Sequence, residues 1–296
     1  DLNRPLAGGR QLMAVELDPI YHPLFFSVPT MLDGSALRGY GDYSVPLVPT
    51  DYVGAVFQGF LEDESAVHLR IDGMFNHGQP VLDDVFLYEV GVRTSIDGGF
   101  EPLCGVEDDG TPIPAIALRG TWNLAEGVEG GGEHFDDPGL FTFACHGYVL
   151  AKCVEAGYHP WAEHEICDQD GCFTIPMAGH HQACTRMMRA DYCGDGTPHT
   201  VDGTAINFYD DVGVRVDSQA WTFEGEWGVN GAVCLSATRI GKLNKLSCKK
   251  QLKELVEYHN LPCKVMGLHD LILKAIEIPG AKSPAERKDE AAAMEF

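Results

Sequence analysis

Ten cysteines in 296 residues constrain this chain more than any other feature of it. They stand at positions 104, 145, 153, 167, 172, 184, 193, 234, 248 and 263, and none forms a CxxC pair. A thioredoxin-type redox centre needs that pair, and a structural zinc site usually shows two short knuckles, whereas only Cys167 and Cys172 approach knuckle spacing. Five disulfides formed in an oxidising compartment are expected, with buried free thiols as the alternative. A secreted or cell-surface location follows from that reading. The chain begins at Asp1 with no basic and apolar leader, as it would after removal of an export signal.

The length allows one large domain or two ordinary ones. No run of about 18 apolar residues is present to cross a bilayer as a helix, so no membrane span is expected. The formal charge of −23 is uneven. Residues 241–296 carry ten basic against eight acidic side chains (+2), and residues 1–240 carry 11 against 36 (−25). An acidic body of this kind repels nucleic acid and anionic membrane. The unlike charge of body and tail suits a protein partner or head-to-tail self-assembly.

Residues 1–50 are rich in Pro, Gly and Tyr without helical period and read as an extended lead-in. From Gly54 the pattern alternates. Ala55–Phe60, Val67–Asp72 and Val85–Val92 read as strands separated by turns, giving a small antiparallel sheet or barrel over about Tyr52–Trp122. A glycine run follows, and Asp136-Asp137-Pro138 resembles a helix start. A helix is expected over Leu140–Ala156, ended by Gly157, and a second over Gly179–Tyr192. Gly194-Asp195-Gly196 then forces a tight turn into a hairpin-like Thr200–Asp210, and Trp221–Trp227 reads as a last strand before Cys234.

The cysteine spacings on the two helices nearly match, which suggests an antiparallel pair linked by Cys145–Cys193 and Cys153–Cys184. Cys167–Cys172 would close a small loop, Cys104–Cys234 would tie the first sheet to the last strand, and Cys248–Cys263 would lie in the tail. Spacing alone does not fix connectivity among ten cysteines. The fold class expected is α+β, with a disulfide-stabilised body over residues 51–240.

Residues 241–280 read as a helical hairpin, with Leu252, Leu255 and Val256 on one side of a first helix and Leu268–Ile278 as a second. It is similar to the SAP helix-loop-helix, which implies a small DNA-binding module. The match is loose, because the turn is a residue longer, Asn260 replaces the usual glycine, and the cysteines are foreign to that family. Residues 281–296 are charged, alanine-rich and expected to be disordered.

Several separated motifs occur in order: Leu69-Arg70-Ile71-Asp72, Pro102-Leu103-Cys104-Gly105, Gly130 to Ala144, Ala151-Lys152-Cys153-Val154-Glu155, Gly157-Tyr158 with Pro160-Trp161, and His181 to Gly196. The last contains Ala190-Asp191-Tyr192-Cys193. Over roughly Tyr52–Thr238 the chain resembles the ADYC-domain proteins, found mostly in secreted and lipoprotein contexts of myxobacteria and their relatives. The resemblance implies a secreted bacterial protein of unassigned activity.

Two clusters carry reactive side chains. His180, His181, Cys184, Arg186, Arg189 and Asp191 share one helix and its end, and His181 with Cys184 has the spacing of a base beside a thiol nucleophile. A disulfide at Cys184 would remove that chemistry. The structural alternative is a buried ion pair between Arg186 or Arg189 and Asp191, Glu133 or Asp137. Glu133, His134, Asp136 and Asp137 could hold a divalent cation or act in acid-base work beside the glycine run. Asp168-Gln169-Asp170-Gly171 resembles the start of a calcium loop, but Gly179 occupies the position of the distal Glu, so only a loose Ca²⁺ site would fit and no cofactor is otherwise indicated. No GxSxG, P-loop, HExxH or dinucleotide fingerprint is present. The leading expectation is a secreted binding or self-assembling structural protein without catalysis. The alternatives are a secreted hydrolase using His134, His181, Arg189 and Asp191, and a DNA-binding tail.

Overall fold

Alternating inward side chains build the first half of the molecule. The computed structural model describes residues 1–6, 8–95, 97–167, 171–216, 218, 223–235, 238–239, 248 and 273–276. The chain divides into two units, Asp1–Leu124 with His134–Glu155, and Ala125–Glu133 with Ala156–Phe296.

Unit 1 contains β1 (Leu12–Glu16), β2 (Thr30–Asp33), β3 (Ala36–Gly41), β4 (Val45–Leu47), β5 (Val56–Leu61), β6 (Ala66–Asn76), β7 (Phe86–Arg93), β8 (Glu101–Pro102), β9 (Ala115–Arg119), β10 (Thr121–Trp122), β11 (His134–Phe135), β12 (Leu140–Cys145) and α1 (Val149–Glu155). Six antiparallel strands close on themselves in the order β6-β5-β1-β12-β9-β7, with β7 returning to β6 and β8 added beside β7. Closure removes the free edges of the sheet. The eleven-residue β6 serves both neighbours, pairing with β5 through Ala66–Arg70 and with β7 from His68 onward, and it bends at a bulge between Ile71 and Gly73. Inside, Tyr52, Phe57, Phe141, Phe143 and Tyr88 form a continuous ring ladder with centroid separations of 6.3, 5.7, 4.9 and 6.0 Å. Each buried ring of this size contributes roughly 1.5–3 kcal/mol relative to exposure.

Two expectations are corrected here. The lead-in is part of the fold, because β1 is a central barrel strand and β2-β3-β4 form a separate antiparallel sheet. The expected helix over Leu140–Ala156 is instead β12 followed by a helix of seven residues. Asp137 caps a turn by accepting the Gly139 N–H at 2.8 Å, the other use of an Asp-Pro pair. Leu140–Cys145 is buried on both faces at almost every position, as suits a barrel strand and not an amphipathic helix. Asn3 then extends β12's pairing with a side chain: its amide donates to the Phe143 carbonyl at 2.7 Å and its oxygen accepts the Cys145 N–H at 2.9 Å.

Unit 2 contains β13 (Glu163–Cys167), β14 (Cys172–Pro176), α2 (Ala178–Arg189), β15 (Asn207–Asp210), β16 (Phe223–Gly228), β17 (Gly231–Leu235) and β18 (Leu273–Ile276). β13 and β14 form a hairpin, and the antiparallel sheet β15-β18-β16-β17 packs against α2. The tail reading is corrected in part: within the expected helix Leu268–Ile278, residues Leu273–Ile276 are a strand between β15 and β16. The rest of the expected hairpin and residues 281–296 lie outside the described residues. The described residues are mostly β with two α-helices, and no helix among them is long and apolar enough to cross a membrane.

Cys167–Cys172 forms as expected, directly across the β13–β14 hairpin. Three other pairings are corrected. Cys145 bonds Cys104, which overturns both Cys145–Cys193 and Cys104–Cys234, and Cys193 bonds Cys248, which overturns Cys248–Cys263. The physical cause is that Cys145 ends a strand of the barrel beside the loop holding Cys104, so it is not on a helix facing α2. Cys153, Cys184 and Cys234 are also disulfide-bonded, and no described cysteine is free.

Candidate functional site

Each residue of Ala190-Asp191-Tyr192-Cys193 holds a separate part of unit 2. Ala190 ends α2 in the left-handed conformation, φ 53° and ψ 41°, with its N–H on the Arg186 and Met187 carbonyls. A non-glycine residue there costs about 1–2 kcal/mol. The reversal places Asp191, fully buried, where one carboxylate oxygen accepts Arg186 at 2.5 Å and the Gly196 N–H at 3.0 Å, while the other accepts the Asp195 N–H at 3.1 Å. Tyr192 donates its hydroxyl to Glu224 at 2.6 Å and accepts the Arg239 N–H at 2.7 Å. Burial and the Glu224 carboxylate push the Tyr192 phenol far up from its ordinary value. Cys193 carries the disulfide to Cys248.

The buried arginines complete this network. Arg186 donates to the carbonyls of Val229 (3.0 Å) and Gly131 as well as to Asp191. Arg189 bonds Glu126 at 3.2 Å and the Gly196 carbonyl, and burial pulls its pKa down. Arg239 grips Glu224 with two nitrogens, at 3.0 and 2.8 Å, and Thr200 at 2.6 Å. The glycine run is used for close approach: a Cβ on Gly131 would strike the Asp195 and Ala125 carbonyls, and one on Gly196 would strike Ala125 and Gly131. Carbonyls of that junction, those of Gly131 and Gly196, thus meet guanidinium groups.

The remaining candidates are dispersed. His134 belongs to unit 1, its ring tilted 34° against Trp122 at 4.4 Å with Nε2 2.9 Å from the Arg119 carbonyl, while Arg119 pairs with Asp136 at 2.7 Å. His181, Arg189 and Asp191 belong to unit 2 and are buried. Cys184 is oxidised, so the Cys/His nucleophile reading is overturned. Glu133 is exposed in unit 2 and does not gather with His134 and Asp136 into a metal-type cluster. The one such cluster among the described residues is Glu165, Cys167 and Cys172, whose sulfurs are joined to each other. Asp168 and Asp170 lie outside the described residues.

Sequence reasoning missed Glu126, Glu224 and Arg239. Glu224 occupies an alternating strand run where nothing distinguishes a buried carboxylate from a solvated one. It also missed an open cleft in unit 2 of about 580 Å³, lined by Glu129, Glu133, Asp195, Asn230, Arg186 and the Cys193–Cys248 disulfide. Among the described residues its lining offers carboxylates, an amide and an already committed guanidinium.

A different surface stands out on unit 1. Of eighteen exposed large apolar side chains among the described residues, ten lie between Ile20 and Val53. Phe26 is 99% and Tyr43 101% exposed.

A closed antiparallel barrel and a helix-on-sheet unit, each carrying disulfides, define a β-rich protein matured under oxidising conditions. The profile of the ADYC domain matches residues 49–241, and the chain belongs to that family. No curated protein and no solved structure matches it.

Proposed function

We propose that this chain is an exported, non-catalytic binding protein, with unit 2 a rigid scaffold and the recognition surface on the first fifty or so residues of unit 1. One contrast supports the reading. Arg186 and Asp191 bond each other and backbone groups of the chain and Cys184 is oxidised, whereas among the described residues the large apolar side chains left in solvent concentrate between Ile20 and Val53. Contiguous exposed apolar surface marks interaction sites. The test is incubation with chromogenic ester, glycoside, phosphomonoester and peptide substrates. No turnover above buffer is expected. Turnover that falls at least tenfold in His134→Gln or Arg189→Lys, with the unfolding midpoint unchanged, would assign catalysis and overturn the reading.

A further inference from the structure

Tyr43 occupies a backbone conformation that suits glycine or asparagine, and its ring touches only solvent. It lies at φ 60° and ψ 25° in the turn between β3 and β4, followed by Ser44 at φ 62°. Such turns ordinarily take Asn-Gly. A bulky residue held there without any packing in return points to a contact made outside the chain. Asp42, its neighbour, accepts the backbone N–H of Phe26 at 3.4 Å, which sets the Phe26 loop beside the Tyr43 turn. On β3, Arg38 and Tyr40 point the same way, opposite Met31 and Pro46 of the adjoining strands. Aromatic rings and polar groups therefore follow one another along this face, with the Arg38–Asp33 pair (2.9 Å) at one end and the Asp42 carboxylate, next to Tyr43 in sequence, on the Phe26 N–H at the other.

We propose that this strip binds an electrically neutral glycan. Resting on the binding-protein reading above, the inference adds the ligand class. A sugar ring presents an apolar C–H face and a rim of hydroxyls, which a ring next to a carboxylate satisfies together. A net charge of −23 repels anionic lipid and acidic polysaccharide but leaves a neutral chain unaffected. A bilayer would have to desolvate Asp42 as the two rings entered, and two copies would have to bring like-charged bodies together.

Affinity electrophoresis of the full chain in gels containing laminarin, dextran, soluble starch or galactomannan, with pull-down on cellulose and chitin, tests the proposal. Retention by at least one is expected, at least tenfold weaker in Phe26→Ser/Tyr43→Asn, a variant whose Asn suits the left-handed turn and whose unfolding midpoint does not fall. Absence of retention by every polymer, or retention equal in the variant, overturns it. Flotation with phosphatidylcholine vesicles, or dimerisation in sedimentation velocity, that the variant abolishes would assign the strip to a bilayer or a second copy and also overturns it. These outcomes leave the no-turnover result standing, so the two readings fail separately.

Discussion

The Arg186 guanidinium lies 2.5 Å from the Asp191 carboxylate, five residues on in sequence, with the two side chains 2% and 0% exposed. A buried pair of this kind is costly to break, because the surviving charge keeps its desolvation penalty without its partner. Asp191→Asn is expected to lose about 3–5 kcal/mol in urea unfolding. A variant within 1 kcal/mol of the parent would show that the pair does not hold the turn from α2 into Gly194–Gly196.

Tyr192 uses its hydroxyl in both directions, toward Glu224 and from the Arg239 N–H. Tyr192→Phe keeps the ring against Trp227, 5.1 Å away, and removes only the oxygen. The expected cost is about 1–3 kcal/mol for leaving buried groups short of a partner. Thermal unfolding measures it, and a neutral effect would mean that Glu224 and Arg239 satisfy each other without the phenol.

The barrel was partly legible and the tetrapeptide was not. Phe57, Leu61, Leu69 and Ile71 alternate with outward residues, so β5 and β6 could be read directly from period two. β12 could not, because a strand buried on both faces loses its alternation and Asp137-Pro138 serves a turn as well as a helix. The disulfides were visible as a class, but the pairing of Cys145 with Cys104 depends on which strands are neighbours in the closed barrel. Asp191 and Arg186 look like chemistry in one dimension. Only the Gly131 and Val229 carbonyls on Arg186, and the Asp195 and Gly196 N–H groups on Asp191, reveal that both are already committed.

The disulfides should differ in what they contribute. In the chain-entropy account, removing Cys104–Cys145, which closes 41 residues, costs about 4 kcal/mol, and removing Cys167–Cys172, which closes 5, costs about 2 kcal/mol. Paired Cys→Ser variants followed by chemical denaturation give the order. Equal losses would mean that local packing, not loop closure, sets the contribution of each bridge.

His180 gives the fold a dependence on pH. Its ring is 1% exposed and stacked on Tyr158 at 6.1 Å, and neither ring nitrogen has a hydrogen-bond partner among the described residues. Burial lowers its pKa from 6.5, against the opposing pull of Asp210 and Asp211, and the charge of His164 lowers it further. Asp210 itself is held by the Tyr158 hydroxyl at 2.8 Å and by the backbone N–H groups of Val212, Gly213, Val214 and Arg215. His22 and His199 are lowered by burial too, whereas the Glu155 hydrogen bond raises His146. Where the folded pKa is depressed, the unfolded chain takes up the proton first, so that share of stability is complete above pH 6.5 and falls as the pH drops toward the folded value. His146 works the other way, adding stability at low pH that is lost as the pH rises through its raised pKa. With three lowered groups against one raised, unfolding free energy is expected to decline from pH 7 to pH 5. His180→Phe, which keeps a ring in the slot and removes the titration, should flatten that decline. An identical slope in parent and variant would locate the proton uptake elsewhere.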